Sequence, residues 1–197
     1  MNVLMIMAHP DDEVIFGWPV LQNDSFRKTV LFCSTDLNNP SRAWCAHRSE
    51  CAKRFLNSLS VDVVCLDYPS EFYKMDVRKG GLARFCDDVL ASIDNLDFDV
   101  IFTHNPIGEY GHLDHILVHS VVSGLGVRTW TTDIVVQSDW IQMRNLSSVR
   151  RRFPGQPIED CVCDEDFYGR CKAEYKSKGA WTWNKDMVSR CKLLEKV

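Results

Sequence analysis

Residues 2–8, NVLMIMA, form an unbroken apolar run of strand length. A strand with no polar face must be covered on both sides, which is the situation of a strand inside a parallel sheet flanked by helices. The pattern recurs. KTVLFCST (28–35), VDVVCLDY (61–68), FDVIFTHN (98–105) and DIVVQSD (133–139) read as further extended segments. Between them, helical spacing is found from Asp12 to about Gln22 and over 41–59, 81–96 and 112–125, with Ser41 as a candidate cap. Strands and helices alternating in this way imply right-handed crossovers. The expected fold is α/β: a Rossmann-like open, mostly parallel sheet with helices on both faces. After about residue 140 the pattern weakens. Segment 150–167 reads as an irregular connection, and 168–178 and 185–196 read as terminal helices. Without repeats or a linker, residues 1–197 are expected to form one domain.

The 27 acidic and 23 basic residues leave a formal charge of -4, so no global basic field exists to hold nucleic acid or an anionic membrane. The one basic cluster, Arg150 to Arg152, reads as a solvated loop. The amino terminus lacks a basic stretch and is interrupted by acids, so neither a signal peptide nor a membrane span is expected, and the protein is expected in the cytoplasm. The nine cysteines then read as reduced thiols. Cys161, Cys163, Cys171 and Cys191 are candidates for a structural zinc site, although the spacing lacks paired CxxC knuckles.

The first apolar run ends in AHPDDEVIFG (8–17), three consecutive acids at the edge of something buried. In open parallel sheets, ligands bind outside the carboxyl ends of the strands, so these acids point into the expected site. Asp12 and Glu13 would also gain from the start of a helix, where negative charge is favoured by about 0.3–1 kcal/mol each. A second stretch, THNPIGEYGHLDHILVH (103–119), follows another strand and brings His104, His112, His115 and His119, four of the six histidines, into one neighbourhood. Neighbouring strands can set His9 and Asp12 against a histidine from this second loop. Two imidazoles and a carboxylate with open positions are the usual composition of a catalytic zinc site, and the second acid would remain free as a base. His119 reads as packing or support.

AHPDDE followed about a hundred residues later by GHLDH resembles the PIG-L/LmbE family of zinc-dependent N-deacetylases. HRSECAKRFLNSLSVDVVCLDYP is similar to the family's Arg-x-Glu helix and third strand, FDVIFTHNPIGEYGH to its fourth strand and loop, and KAEYKSK (172–178) to its terminal helix. The resemblance implies an amide hydrolase acting on a non-peptide C–N bond, removing an N-acetyl group from an amino-sugar conjugate. It implies His9, Asp12 and His115 as zinc ligands, with iron(II) compatible with the same set. It makes Asp11 the general base, and a protonated His112, held charged by Asp114, the group that stabilises the oxyanion and protonates the amine. It assigns Tyr110 to the same oxyanion and Arg48 to the substrate's polar head. The chain departs from the family at Lys178, where Gln is common, and at YPSE in place of PDG.

Three other readings use the same residues. A 2-His-1-carboxylate iron oxygenase would need an antiparallel barrel that the strand–helix alternation disfavours. A sugar- or nucleotide-binding module without activity would have no need of Asp11 beside a metal carboxylate. A dinucleotide enzyme would need a glycine-rich turn where this chain has carboxylates that repel pyrophosphate. Of the six tryptophans, Trp44, Trp181 and Trp183 are the candidates for stacking on a sugar ring.

Overall fold

The strand β1 (Asn2–Met7) shows why its sequence is apolar throughout. In the computed structural model, which describes residues 1–35, 43–138, 153 and 155–196, its side chains alternate between two cores. Val3, Met5 and Met7 pack on one face with Trp18, Leu56 and Tyr175. Leu4, Ile6 and the following Ala8 pack on the other with Phe72, Phe85, Val89 and Val118.

β1 pairs in parallel with β2 (Arg27–Ser34) and β4 (Val100–Thr103), β2 pairs with β3 (Asp62–Tyr68), and β4 with β5 (Thr129–Thr132). Among the described residues the sheet has seven strands in the order β3-β2-β1-β4-β5-β7-β6, in which β7 (Arg190–Lys196) pairs antiparallel with both β5 and β6 (Gln156–Val162). Two short helices, α1 (Asp12–Ile15) and α2 (Trp18–Leu21), follow β1, and α3 (Ala43–Ser58) links β2 to β3. α4 (Gly81–Ile93) precedes β4, a helical turn α5 (Gly108–Gly111) and α6 (Leu113–Gly124) follow it, and α7 (Glu165–Ser177) lies between β6 and β7. Helices α1, α2, α3 and α7 contribute to the first core, and α4 and α6 to the second, so both sheet faces are covered. In α4, Phe85, Val89 and Ile93 are buried at four-residue spacing, the stripe that docks a helix on a sheet. Chain order reverses between β1 and β4. The crevice at their carboxyl ends is where an open α/β sheet binds its ligand.

The mostly parallel α/β sheet is as expected, with three local corrections. The extended segment expected at 133–139 is irregular as far as Gln137–Ser138, and the strand is Thr129–Thr132. The expected irregular connection of 150–167 contains β6, and the expected helix of 185–196 is instead β7. Ser41, Trp140 and Arg150 to Arg152 lie outside the described residues.

The helix expected from Asp12 to Gln22 is two helices separated at Gly17. A Cβ on Gly17 would lie 2.5 Å from Met5 Cε and 2.7 Å from the Glu13 carbonyl oxygen, so the break lets this segment press onto β1. Gly17→Ala should therefore destabilise the fold by about 1–3 kcal/mol, the usual cost of overpacking. Urea unfolding measures it, and an unchanged midpoint would mean that the segment can move off β1 freely.

Candidate metal centre and active site

Three buried acids follow β1, and each has its own partners. Asp11 sits at φ 91°, left-handed backbone that L residues rarely adopt, and this turn separates its carboxylate from that of Asp12. Asp11 Oδ1 accepts from Arg48 on α3, and Oδ2 accepts from the Thr182 amide at 3.0 Å and its hydroxyl at 2.7 Å. Burial raises the Asp11 pKa, and the Arg48 charge opposes that rise. Glu13 Oε2 accepts the Asp11 N–H at 2.9 Å, while its Oε1 accepts from Tyr175 of α7. Burial pushes Glu13 up to about 8 against the hydrogen bond from Tyr175.

Asp12 faces the histidines. His9 Nδ1 lies 3.2 Å and His115 Nε2 3.3 Å from the same oxygen, Asp12 Oδ2. Burial opposes ionisation of Asp12, yet His115 and His9 hold it well below the usual carboxylate range. Burial also opposes charge on His115, but Asp12 and Glu109 carry it up to about 10. His115 Nε2 is buried, and although it is near Asp12 it has no aligned hydrogen-bond partner.

Other histidines come within ligand reach. Ligand atoms of His9, His112 and His115, and of Asp12, His104 and His115, form two groups with spacings below 4.8 Å. His104 is already committed, because its Nε2 accepts the Ala8 N–H at 2.9 Å and its Nδ1 lies 3.1 Å from Glu109 Oε2. His112 Nδ1 accepts the Asp114 N–H at 3.2 Å at the start of α6. The expected set of His9, Asp12 and His115 is spread over these two groups, with His115 common to both, and imidazole and carboxylate donors around the orphaned His115 nitrogen fit zinc or iron(II). Among the described residues no three cysteines gather as ligands. Cys161 and Cys191 face one another across β6 and β7, and these thiols together with Cys163 and Cys171 are core residues.

Several expected contacts differ. The Asp114 carboxylate does not hold His112. It pairs with His9 Nε2 at 3.0 Å and accepts the N–H groups of Glu71 and Tyr73, each at 2.9 Å. Burial, then His115 and His9, push His112 down to about 3, so it is neutral, and its Nδ1 acceptor role puts its proton on Nε2. Arg48 is buried on Asp11 rather than open to a substrate. The Tyr110 ring lies beside His112 and His115. Trp183 packs on Phe16 and Tyr110 at the site. Trp181 meets Tyr168 and Tyr175 edge to face, and exposed Trp44 donates to the Gly179 carbonyl. A cavity of about 470 Å³ opens beside His112, lined by Glu71, Tyr73, Tyr110, Gly111, Leu113 and Ile116. His119 Nδ1 bonds the His104 carbonyl at 2.7 Å, a supporting contact.

Glu109, not anticipated from the sequence, is buried under the histidines at φ 54°. Its Oε1 accepts the Asn105 N–H at 2.9 Å, and its Oε2 meets His104 Nδ1 at 3.1 Å and His115 Nδ1 at 2.8 Å. Burial opposes its ionisation, but the two imidazoles bring it down to about 2.

The sequence profile of the PIG-L family, GlcNAc-PI de-N-acetylase, matches residues 4–125, more than half of the chain. The chain belongs to the PIG-L family. Its PIG-L match runs from β1 to the end of α6 and so includes every candidate ligand, while Tyr175 and Thr182 lie beyond it. An uncharacterized protein, L374 of Acanthamoeba polyphaga mimivirus, is 30% identical over 120 residues, 57% of this chain and 52% of that protein. The matched part thus spans about half the length of that curated relative.

Solved structures share the PIG-L chain's fold. A deacetylase of the teicoplanin biosynthesis pathway, in complex with teicoplanin, superposes with a TM-score of 0.65 at 11% identity, covering 100% of this chain and 98% of that one. Dbv21, the A40926 pseudoaglycone deacetylase, superposes with a TM-score of 0.61 at 16% identity, covering 90% and 81%. At these identities the likeness is one of fold. Family membership supports an enzyme of the de-N-acetylase type. No helix among the described residues is long and apolar enough to cross a membrane.

The raised pKa of Glu13 has a signed consequence for the metal-free protein. Folding favours its protonated form, so its contribution to stability is full below its ordinary pKa and is lost as pH rises through about 8. Glu13→Gln cannot ionise, and Asp11 is common to both proteins. Between about pH 5 and about pH 9, denaturant midpoints should fall further for wild type than for the variant. Parallel behaviour of the two would show that Glu13 does not titrate in this range.

Proposed function

We propose that this chain is a metal-dependent hydrolase that removes an N-acetyl group from an amino-sugar conjugate, with the site carried by one domain. The observation that carries the reading is the division of labour at HPDDE. Asp12 shares one oxygen between His9 and His115, while Asp11, its neighbour, faces Arg48 and Thr182. A site needing only metal ligands has no use for the second environment.

His9, Asp12 and His115 would hold the ion, zinc by preference of donor type. A divalent ion there supplies a Lewis acid and lowers the pKa of water. Asp11 takes the proton of the attacking water and delivers it to the departing amine. A carboxylate offers about four acceptor positions, and Arg48 and Thr182 occupy three, so Oδ1 retains one for this proton. Burial raises its pKa toward the working range of a base. The neutral His112 donates its Nε2–H to the carbonyl oxygen as negative charge builds there, an oxyanion role that requires no imidazolium. Tyr110 walls the same space, and the adjoining cavity gives room for the sugar or its aglycone. The family description and the deacetylase fold of the glycopeptide enzymes support a glycoconjugate substrate.

The two acids should fail differently. Asp12→Ala and His115→Ala should lose metal by elemental analysis. Asp11→Asn should keep metal and fold while acetate release from a panel of acetamido sugars falls by about 10²- to 10⁴-fold. Near-normal turnover in Asp11→Asn, or stoichiometric metal surviving His115→Ala, would sink the assignment.

A further inference from the structure

Glu109 takes no part in the reaction just described, yet its carboxylate lies directly behind the histidines of the site. Its Oε2 lies within hydrogen-bond distance of two imidazoles, at 2.8 Å from His115 Nδ1 and 3.1 Å from His104 Nδ1. An ionised carboxylate can only accept, so each Nδ1 must carry the proton. The His104 assignment has independent support, because its Nε2 accepts the Ala8 N–H at 2.9 Å and cannot be the protonated nitrogen. The His115 ring stacks on His104 with centroids 3.8 Å apart, and its remaining nitrogen, Nε2, is buried 3.3 Å from Asp12 Oδ2 with no aligned hydrogen-bond partner among the described residues.

We propose that Glu109 is the positioning residue of the metal centre: it fixes His115 with the proton on Nδ1 so that Nε2 presents its lone pair to the ion. This rests on the reading of His115 as a ligand. Through the same oxygen Glu109 holds His104, and His104 holds the Ala8 amide, one residue before His9. Through His104, one carboxylate therefore ties α6, which supplies His115, to the turn after β1, which supplies His9 and Asp12. The backbone is arranged for this task. Glu109 occupies left-handed φ 54°, after Gly108 at φ 62°, where an added Cβ would come within 3.0 Å of Ile116 and 3.2 Å of His115 Cβ. Such a conformation persists only where surrounding bonds over-determine it. Here Asn105 Oδ1 accepts the Glu109 N–H at 3.1 Å, and the Glu109 carbonyl accepts from Val136 at 2.9 Å. A surface turn would need none of these contacts.

Two measurements test this. In zinc-loaded wild type, two-bond ¹H–¹⁵N spectra of the histidine rings should show His115 bound through Nε2 with its proton retained on Nδ1. Binding through Nδ1 overturns the proposal with no variant needed. Glu109→Gln offers one carbonyl oxygen and one amide group, so it cannot accept from Asn105 and from both imidazoles. It should keep the circular dichroism of the metal-free fold while zinc affinity, from competition with a chromophoric chelator, falls by about 10- to 100-fold. A folded Glu109→Gln protein that binds zinc as wild type overturns the role of Glu109. His115→Ala in parallel separates the two readings: retained zinc there means that His115 is no ligand, whereas its loss beside a normal Glu109→Gln affinity removes Glu109 alone. A purely structural Glu109 would lower stability without altering the protonation of His115 Nδ1.

Discussion

Three adjacent buried acids cannot share one environment. Like charges at contact distance in a low dielectric repel strongly, and each ionised carboxylate needs its own compensation. The left-handed turn at Asp11 makes that possible by sending neighbouring side chains apart. Arg48 from α3 and Thr182 from the segment before β7 meet Asp11, His115 from α6 meets Asp12, and Tyr175 from α7 meets Glu13. Helices α3, α6 and α7 and the segment before β7 are thus tied to three adjacent acids that follow β1. Because these partners come from both halves of the chain, the segments beyond α6 belong to the site as much as the stretch that carries the histidines.

How much of this was legible in the sequence depends on the length scale of each signal. β1, β2 and β4 are apolar on both faces, and continuous runs of that kind announce buried strands. β7 failed because its cues are ambiguous. Met187, Cys191 and Leu194 fall at helical spacing, while the pairing with β5 and β6 is long-range and leaves no local mark. β6 carries Pro157 and two acids and is almost wholly exposed, which an edge strand tolerates and a sequence pattern reads as loop. Segment 133–139 misled in the other direction: Ile134 and Val135 are apolar because they are buried, without being in a strand.

The site divides in the same way. HPDDE and the histidine cluster name their chemistry because the residue types are unusual together. Pairings inside the site do not follow from proximity along the chain. His112 and Asp114 are two residues apart, and on a helix such positions do not face one another. The chain turns at His112 into α6, its ring caps the helix start, and the Asp114 carboxylate swings to His9 and the loop at Glu71–Tyr73. Glu109 was silent because an acid between two glycines reads as a solvated turn. Only the fold reveals that this turn is buried beneath two imidazoles.

The electrostatics of the centre then explain the pull of His9 and His115 toward charge. Asp11, Asp12, Glu109 and Asp114 are buried carboxylates, Glu13 is neutral below about 8, and Arg48 is the fixed cation beside them. Burial alone would keep His9 and His115 neutral, yet hydrogen bonds and charges from Asp114, Asp12 and Glu109 raise both. The carboxylates thus favour positive charge at this pair of rings. Under the proposed reading, a divalent ion held by the same two rings in neutral form would supply positive charge at the same place, with any ring protons released. One set of backbone positions would then serve the metal-free and the metal-bound centre alike.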